Sequence, residues 1–261
     1  MKKEGKTSFR NAISGLLKKE AESIEIWAVS LHSFSTLTEW ERLLSVFGPA
    51  ERERILRLSR EEDRLRRTAS HLLVSTLLGE KLELRYRELP FKREDYGKPY
   101  LGLEHAPFFN ASHSGSLTVC ALADHAVGID MERCEPLEIE SVRMLLGRFG
   151  GLPSNERERQ EDLRFFYTRW TMLESWLKAE GTGLHEKYPL SSFIPEWDGA
   201  CFRVHAQDSR RPPWAIDTLE IQLPEQLPYA LAVCRRPQEI SASEVGWLAG
   251  DNLVRRFLML L

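Results

Sequence analysis

Three short runs of this sequence concentrate groups that can do chemistry. In Val127-Gly128-Ile129-Asp130-Met131-Glu132, two carboxylates stand at i and i+2. On a strand that spacing puts both on one face and sends Ile129 and Met131 to the other. Neighbouring carboxylates repel. A hard divalent cation bound through oxygen offsets the repulsion, and so does simple solvation at a strand end. In Trp170-Thr171-Met172-Leu173-Glu174-Ser175-Trp176-Leu177-Lys178, Glu174 and Lys178 stand at i and i+4 and share a helix face. As an exposed salt bridge the pair contributes only ~0.3–0.5 kcal/mol. Flanked by Met172, Leu173, Trp176 and Leu177, it can instead straddle a pyrophosphate, the carboxylate on a metal and the ammonium on phosphate oxygens. In Asn110-Ala111-Ser112-His113-Ser114-Gly115, small polar groups and one histidine crowd into what reads as a tight polar turn. Such a turn either satisfies itself with a structural histidine or presents hydroxyls, N–H groups and an imidazole to an anion. His125 falls in an expected hairpin turn and carries no role.

These groups need elements to position them. Ile24 to Leu31 is rich in β-favouring apolar residues and predicts a first strand. Arg and Glu interleave from Glu51 to Arg67. Ser59 with Glu62 three positions on is a capping-box signature. It predicts a helix with a buried stripe of Leu65, Ala69, Leu72, Leu73 and Thr76, ending near Gly79. Leu84 to Leu89 reads as a second strand and Asp95 to Pro99 as a turn. A strand from Phe108 leads into the polar turn. Leu117–Ala123 and Ala126–Glu132 predict a hairpin turning at Asp124-His125. A long helix is expected over Asp162–Glu180, stopped at Gly181-Thr182-Gly183. Later strands fall at Cys201–His205, Trp214–Ile221 and Tyr229–Cys234. The first 20 or so residues read as a short helix or lead-in, and Gly150 to Pro153 as a loop. Strands grouped with helices, without steady βαβ alternation, argue an α+β fold. A division near residues 124–127 gives an N-terminal half, 1–125, and a C-terminal half, 126–261, each with strands and one long helix.

Composition excludes several classes. A formal net charge of -3 argues against a globally basic nucleic-acid binder, and the glutamates within the Arg52 to Arg67 run argue against a local one. No apolar run approaches the ~20 residues that span a membrane, and the first residues lack the apolar core of a signal peptide. The 4 cysteines form no C-x-x-C pair, so neither a zinc knuckle nor a disulfide scaffold is indicated; reduced thiols in a cytoplasmic protein are expected.

Taken in order, N-x-S-H-S-G, then G-I-D-x-E, then W-[ST]-x-x-E-S-x-x-K-x-x-G-x-G-L resembles the Sfp-type 4'-phosphopantetheinyl transferases. Glu94 to Tyr100 looks like that family's Y-G-K-P element, Pro49 to Arg66 like its basic helix region, and Tyr229 to Cys234 like a late core strand. The likeness spans residues 24–234. It implies two similar α+β halves in one chain with coenzyme A in the cleft between them. It also implies transfer of phosphopantetheine to a serine of an apo acyl or peptidyl carrier protein, releasing adenosine 3',5'-bisphosphate. Asp130, Glu132 and Glu174 match the family's magnesium-binding carboxylates. Lys178 and His113 match contacts to the coenzyme A phosphates. With Glu174 they are the expected catalytic groups, acting by positioning and charge neutralisation. Arg54, Arg66 and Lys98 match positions near the adenine or the 3'-phosphate, and Asn110 and Ser112 fall in the phosphate-side turn. A monomer with no nucleic-acid or membrane partner is the expected assembly.

Three departures stand out. Leu173 occupies a position where members often carry lysine. Glu51 stands where some have a basic residue for the 3'-phosphate, which passes that work to Arg52 or Arg54 and weakens the patch. Members often place a glutamate, a candidate general base, in the region matching Leu146 to Pro153, where this chain has no acid. The base is then Glu156, a metal-bound water, or absent. That gap is the one feature favouring an alternative: a non-catalytic homologue that binds coenzyme A or a carrier protein. The presence of Asp130, Glu132, Glu174, Lys178 and His113 together favours an enzyme.

Overall fold

A computed structural model describes residues 24–34, 38–138, 158–183, 193–205, 212–224, 226–238 and 245–261. In chain order the elements are β1 (Glu25–Ser30), α1 (Thr38–Val46), α2 (Pro49–Leu56), α3 (Glu61–Leu82), β2 (Phe91–Arg93), β3 (Pro99–Leu101), β4 (Phe108–Ser114), β5 (Leu117–Ala123), β6 (Gly128–Arg133), α4 (Glu158–Glu180), β7 (Glu196–Trp197), β8 (Phe202–Val204), β9 (Trp214–Ile221), β10 (Tyr229–Arg235), β11 (Val245–Leu248) and α5 (Gly250–Leu258). One sheet runs β11-β1-β5-β4 and the other β6-β10-β9-β8-β7, with β2 and β3 as a separate ribbon. Among the described residues all strand pairs are antiparallel except β1 with β11. Helices and largely antiparallel sheets segregate as an α+β fold requires.

Strand alternation explains the layering. Ile26, Ala28, Val119 and Ala121 of the first sheet face Ile129, Met131, Leu231 and Val233 of the second, making a dry layer between the sheets. The other face of the first sheet, with Val29, Cys120 and Leu122, packs on Leu72, Leu73 and Leu78 of α3 and on Leu253 and Phe257 of α5. The outer face of the second sheet, with Ile216, Ala232 and Cys234, packs on Met172, Leu173, Trp176 and Leu177 of α4. Residues 245–261 therefore complete the sheet and helix layer formed by the first half of the chain, although they come last in sequence.

The expected hairpin between Leu117–Ala123 and Ala126–Glu132 does not form. Both strands exist, but β5 pairs with β1 and β4 while β6 pairs with β10. The chain crosses between sheets at residues 124–127. What joins the sheets at this edge is a row of side chains. Asn110 Oδ1 accepts from the Ile129 N–H at 2.9 Å, Ser112 Oγ from Met131 N–H at 3.3 Å, and Ser114 Oγ from Arg133 N–H at 3.1 Å. Alternate residues of β4 thus satisfy alternate N–H groups of β6, which have no strand partner on that side. The run Asn110 to Ser114 is accordingly strand, and the tight turn is confined to Gly115-Ser116, with Gly115 at φ +53°. A Cβ on Gly115 would lie 2.6 Å from Tyr229 Oη, so this turn needs glycine.

Three other expectations fail locally. No capping box forms at Ser59: α3 is capped by Arg60 without a side-chain bond, and the Glu62 carboxylate accepts from Arg66 instead. Gly79 does not end α3, which continues to Leu82 and stops at Glu83 in the left-handed region. Its missing side chain serves packing, since a Cβ there would meet Leu260 Cδ1 at 2.6 Å and the Leu84 carbonyl oxygen at 3.0 Å. Leu84 to Leu89 holds a 3-10 turn, Tyr86–Glu88, rather than a strand; the Glu88 carboxylate accepts from the Arg85 N–H and Leu260 O from the Tyr86 N–H. The lead-in before residue 24 and the Gly150 to Pro153 loop lie outside the described residues.

Candidate active site

A cleft of about 1170 Å³ opens between the first half's helices and the β4–β6 edge. Its floor at one end is β6. Ile129 and Met131 are fully buried in the layer between the sheets, so Asp130 and Glu132 project from the opposite face, as their spacing predicts. That is the face α4 packs on. Gly128 allows the close approach: a Cβ there would lie 2.0 Å from the Ser175 carbonyl oxygen. The helix thereby brings Glu174 and Lys178 into the same cleft.

The ammonium of Lys178 is the hub. It donates to Asp130 Oδ1 at 2.6 Å, Ser112 Oγ at 3.2 Å and the Ile129 carbonyl at 3.3 Å. Ser112 Oγ also donates to Asp130 Oδ1 at 2.9 Å, and Ser114 Oγ to Glu132 Oε2 at 2.7 Å. So the hydroxyls that seal the two sheets also hold the acidic groups. The other Asp130 oxygen, Oδ2, is buried and has no hydrogen-bond partner among the described residues. Burial, then the Asp130 charge, pushes the Glu174 carboxyl above its usual range; burial does the same for Glu132, opposed by the Ser114 bond and reinforced by Asp130. Among the described residues no three His, Cys, Asp or Glu side chains already stand in metal-holding geometry. The donor set nevertheless suits a hard divalent cation in kind: oxygen ligands, an unsatisfied buried carboxylate oxygen, and acids that disfavour each other's charge.

At the other end of the cleft stands a cluster of which the sequence singled out only Glu51 and Arg54. Glu51, in the first turn of α2, is buried. Its carboxylate accepts from Arg54 at 3.0 Å, from Arg67 of α3 at 2.8 Å and from Arg93 of β2 at 3.4 Å. His71 adjoins them, and its Nε2 lies 3.0 Å from Tyr86 Oη. Burial and the nearby arginines, against the pull of Glu51, hold His71 down to about 4, so it is neutral at pH 7. His113 lies between the two ends. Burial first, then Arg67 and Lys178, lowers it likewise to about 4.

Against this geometry stand the comparisons with known proteins. A model described as "4'-phosphopantetheinyl transferase, N-terminal" matches residues 34–125, and one described as "4'-phosphopantetheinyl transferase superfamily" matches residues 126–234. The 4'-phosphopantetheinyl transferase Sfp of Bacillus subtilis (strain 168) is 30% identical over 215 residues, covering 81% of this chain and 92% of that protein. This chain belongs to the 4'-phosphopantetheinyl transferase superfamily. The phosphopantetheinyl transferase HetI of Nostoc sp. is 29% identical over 63% of this chain and 71% of its own length. The L-aminoadipate-semialdehyde dehydrogenase-phosphopantetheinyl transferase of Xenopus laevis is 29% identical over 60% of this chain and 57% of its own.

Of the residues expected at a transferase site, the structure gathers Arg54, Asn110, Ser112, His113, Asp130, Glu132, Glu174 and Lys178 along one cleft. Arg66 and Lys98 do not line it. Arg66 donates to the Gly115 carbonyl at 2.8 Å and pairs with Glu62 and Asp63. Lys98 donates to the carbonyls of Val127 and Ala179, at 3.2 Å each, tying the sheet crossover to the end of α4. Leu173, where members often carry lysine, is buried in the core beneath α4. Glu156 lies outside the described residues. Sequence reasoning missed Arg67 and His71, one turn apart on α3, and Arg93 of β2, which no shared motif connects. A buried glutamate among arginines, Glu51, was the available signal and was read as a defect.

Proposed function

We propose that this protein transfers 4'-phosphopantetheine from coenzyme A to a serine hydroxyl of an apo acyl or peptidyl carrier protein, releasing adenosine 3',5'-bisphosphate. The observation that carries the reading is the two-ended cleft. A guanidinium cluster lies at one end and Lys178 with three carboxylates at the other, with His113 between. Coenzyme A is anionic at two separated places, a phosphate monoester on the ribose and a pyrophosphate, and this cleft offers cationic groups at two. The named activity of Sfp and its relatives agrees with the reading.

In this scheme Lys178 holds the pyrophosphate by charge and hydrogen bonds, His113, neutral near pH 7, adds a hydrogen bond, and the arginine end fixes the ribose phosphate. Phosphoryl transfer needs positioning and charge neutralisation more than covalent help, which suits a site without a nucleophile of its own. Asp130, Glu132 and Glu174 are the residues that would hold a magnesium ion, with Asp130 Oδ2 free to ligate. When bound, such an ion supplies a Lewis acid for the pyrophosphate oxygens. The reading carries with it two α+β halves meeting near residue 125, a monomeric enzyme and a cytoplasmic setting. All four cysteines are free thiols and no described helix is long and apolar enough to cross a membrane. Intact-protein mass spectrometry of several apo carriers, after incubation with this protein, coenzyme A and Mg²⁺, tests it. Every carrier staying in its apo form would leave the non-catalytic binder as the better account. Chelation should abolish transfer and excess Mg²⁺ restore it; full turnover in metal-free buffer would remove the ion from the scheme.

A further inference from the structure

We infer that Glu51 is a positioning residue that sets Arg54, Arg67 and Arg93 as a cradle for a phosphate monoester, and so makes the enzyme discriminate for donors that carry one. The inference rests on the transferase reading for its substrate but on separate residues for its geometry. The three guanidinium groups come from α2, α3 and β2, and among the described residues the Glu51 carboxylate is the partner common to them. It bonds Arg67 with Oε1, and Arg54 and Arg93 with Oε2. Arg93 is further tethered by donating to the Gly97 carbonyl at 2.6 Å. Each arginine keeps part of its side chain exposed, at 46%, 34% and 29% for Arg54, Arg67 and Arg93, while Glu51 is only 10% exposed. The carboxylate is thus the anchor at the back, and guanidinium N–H groups remain for the cleft, which all four residues line.

Charge matching identifies the guest. Three guanidinium charges against one carboxylate leave two positive charges, and His71 adds none near neutrality. A phosphate monoester carries about 1.5–2 negative charges at pH 7. A diester, with a single charge, matches less well. Without Glu51 the guanidiniums would repel one another. Burial and the charges of Arg54 and Arg67 already hold Arg93 below its ordinary range. The same three salt bridges also tie α2 to α3 and β2, so stability alone cannot diagnose the role; donor choice can.

The test compares kcat/KM for coenzyme A and dephospho-coenzyme A in the wild type, Glu51→Gln and Glu51→Asp. Calorimetric binding of adenosine 3',5'-bisphosphate and of AMP to each gives a second readout. Because a charge-assisted bond is worth about 1.5–3 kcal/mol, roughly tenfold or more per bond, the wild type should prefer coenzyme A at least ~10-fold. Glu51→Gln should cut that ratio at least ~10-fold, through the KM for coenzyme A. Glu51→Asp keeps the charge but shortens the reach by one methylene, and should cut it about threefold or more. A folded variant of either kind that keeps the wild-type ratio overturns the inference, as does a wild type that uses both donors equally. If the wild type transfers from neither donor, the transferase reading fails. The cradle is then judged by whether adenosine 3',5'-bisphosphate binds more tightly than AMP and loses that margin in Glu51→Gln.

Discussion

Replacing Lys178 with methionine keeps most of the side chain's length and removes its charge. In the folded protein Asp130 is 3% exposed and has its Oδ1 bonded by Lys178 and Ser112, while Oδ2 has no partner. The variant therefore leaves a buried carboxylate with one hydroxyl, facing Glu132 and Glu174. Breaking a buried pair by removing one member costs about 3–5 kcal/mol. The Lys178 side chain is 28% exposed to the cleft, which places the expected loss at about 3 kcal/mol. For a chain of this size that is a fall in Tm of about 6–12 °C. The sign of the pH effect follows. Without the ammonium, which opposes the upward shift of Glu132 and Glu174, the folded-state pKa values of those two carboxyls rise further above their unfolded values. The stability of the variant is then lost as pH rises through those values, and its deficit against wild type is greatest at neutral pH and shrinks toward pH 5. The double variant Lys178→Met with Asp130→Asn should recover most of the loss, because the asparagine needs no counter-charge. Calorimetric or denaturant melts of the four proteins at pH 7.5 and pH 5 provide the cycle. A single variant melting within about 2 °C of wild type at pH 7.5, or losses that simply add in the double variant, would refute the account of Lys178 as counter-charge.

Other expectations follow from the same geometry. Glu174→Gln should lower kcat about 100-fold or more at saturating coenzyme A with little change in Tm; near wild-type turnover at limiting Mg²⁺ would reduce Glu174 to a helix-surface partner of Lys178. Gly128→Ala forces a methyl against the backbone of α4 and should cost about 3 kcal/mol, read as a loss of denaturant midpoint; a neutral substitution would mean that α4 does not sit as described. His71 and His113 are each lowered from 6.5 to about 4, so the unfolded chain binds protons that the native protein refuses. The stability they contribute is complete above pH 6.5 and is lost as pH falls toward 4, at up to about 1.4 kcal/mol per pH unit for each. Urea melts at pH 7, 6 and 5 that show no decline would contradict the burial of both imidazoles.

The carboxylate end of the cleft was legible because it is made of short-range patterns. The i, i+2 spacing of Asp130 and Glu132 fixes their face once β6 is a strand, and i, i+4 fixes Glu174 and Lys178 once α4 is a helix. The apolar, β-favouring runs of β5 and β6 likewise showed two strands. It could not show that they belong to different sheets, because both faces of β5 are buried and a hydrophobic run does not name its partner. The polar row Asn110, Ser112 and Ser114 was read as a turn for a related reason: a polar alternation on a buried strand makes sense only when the N–H groups of β6 are seen beside it. Gly79 and Tyr86 were misread because what shapes them is Leu260, far along the chain. The arginine end was the least legible, since Glu51, Arg67 and Arg93 are brought together only by tertiary packing.

The pairing of β1 with β11 has a consequence for the order in which the molecule can be assembled. By residue 123 a growing chain holds three of the four strands of its first sheet, and α3 to cover them. The fourth strand and the second covering helix are residues 245–258. Until those are made, β1 presents an open edge and Phe257 is absent from the core it shares with Phe47 and Tyr86. Synthesis of the first half is thus not its completion: the last segment closes it across the whole intervening sequence, a contact of very long range that slows folding. A fragment stopped at residue 234 would keep every cleft-lining side chain named above and still lack the strap that holds α3 and β1 in register. Split-protein reporters cut near residue 125 would therefore need the tail supplied with the first fragment, not the second.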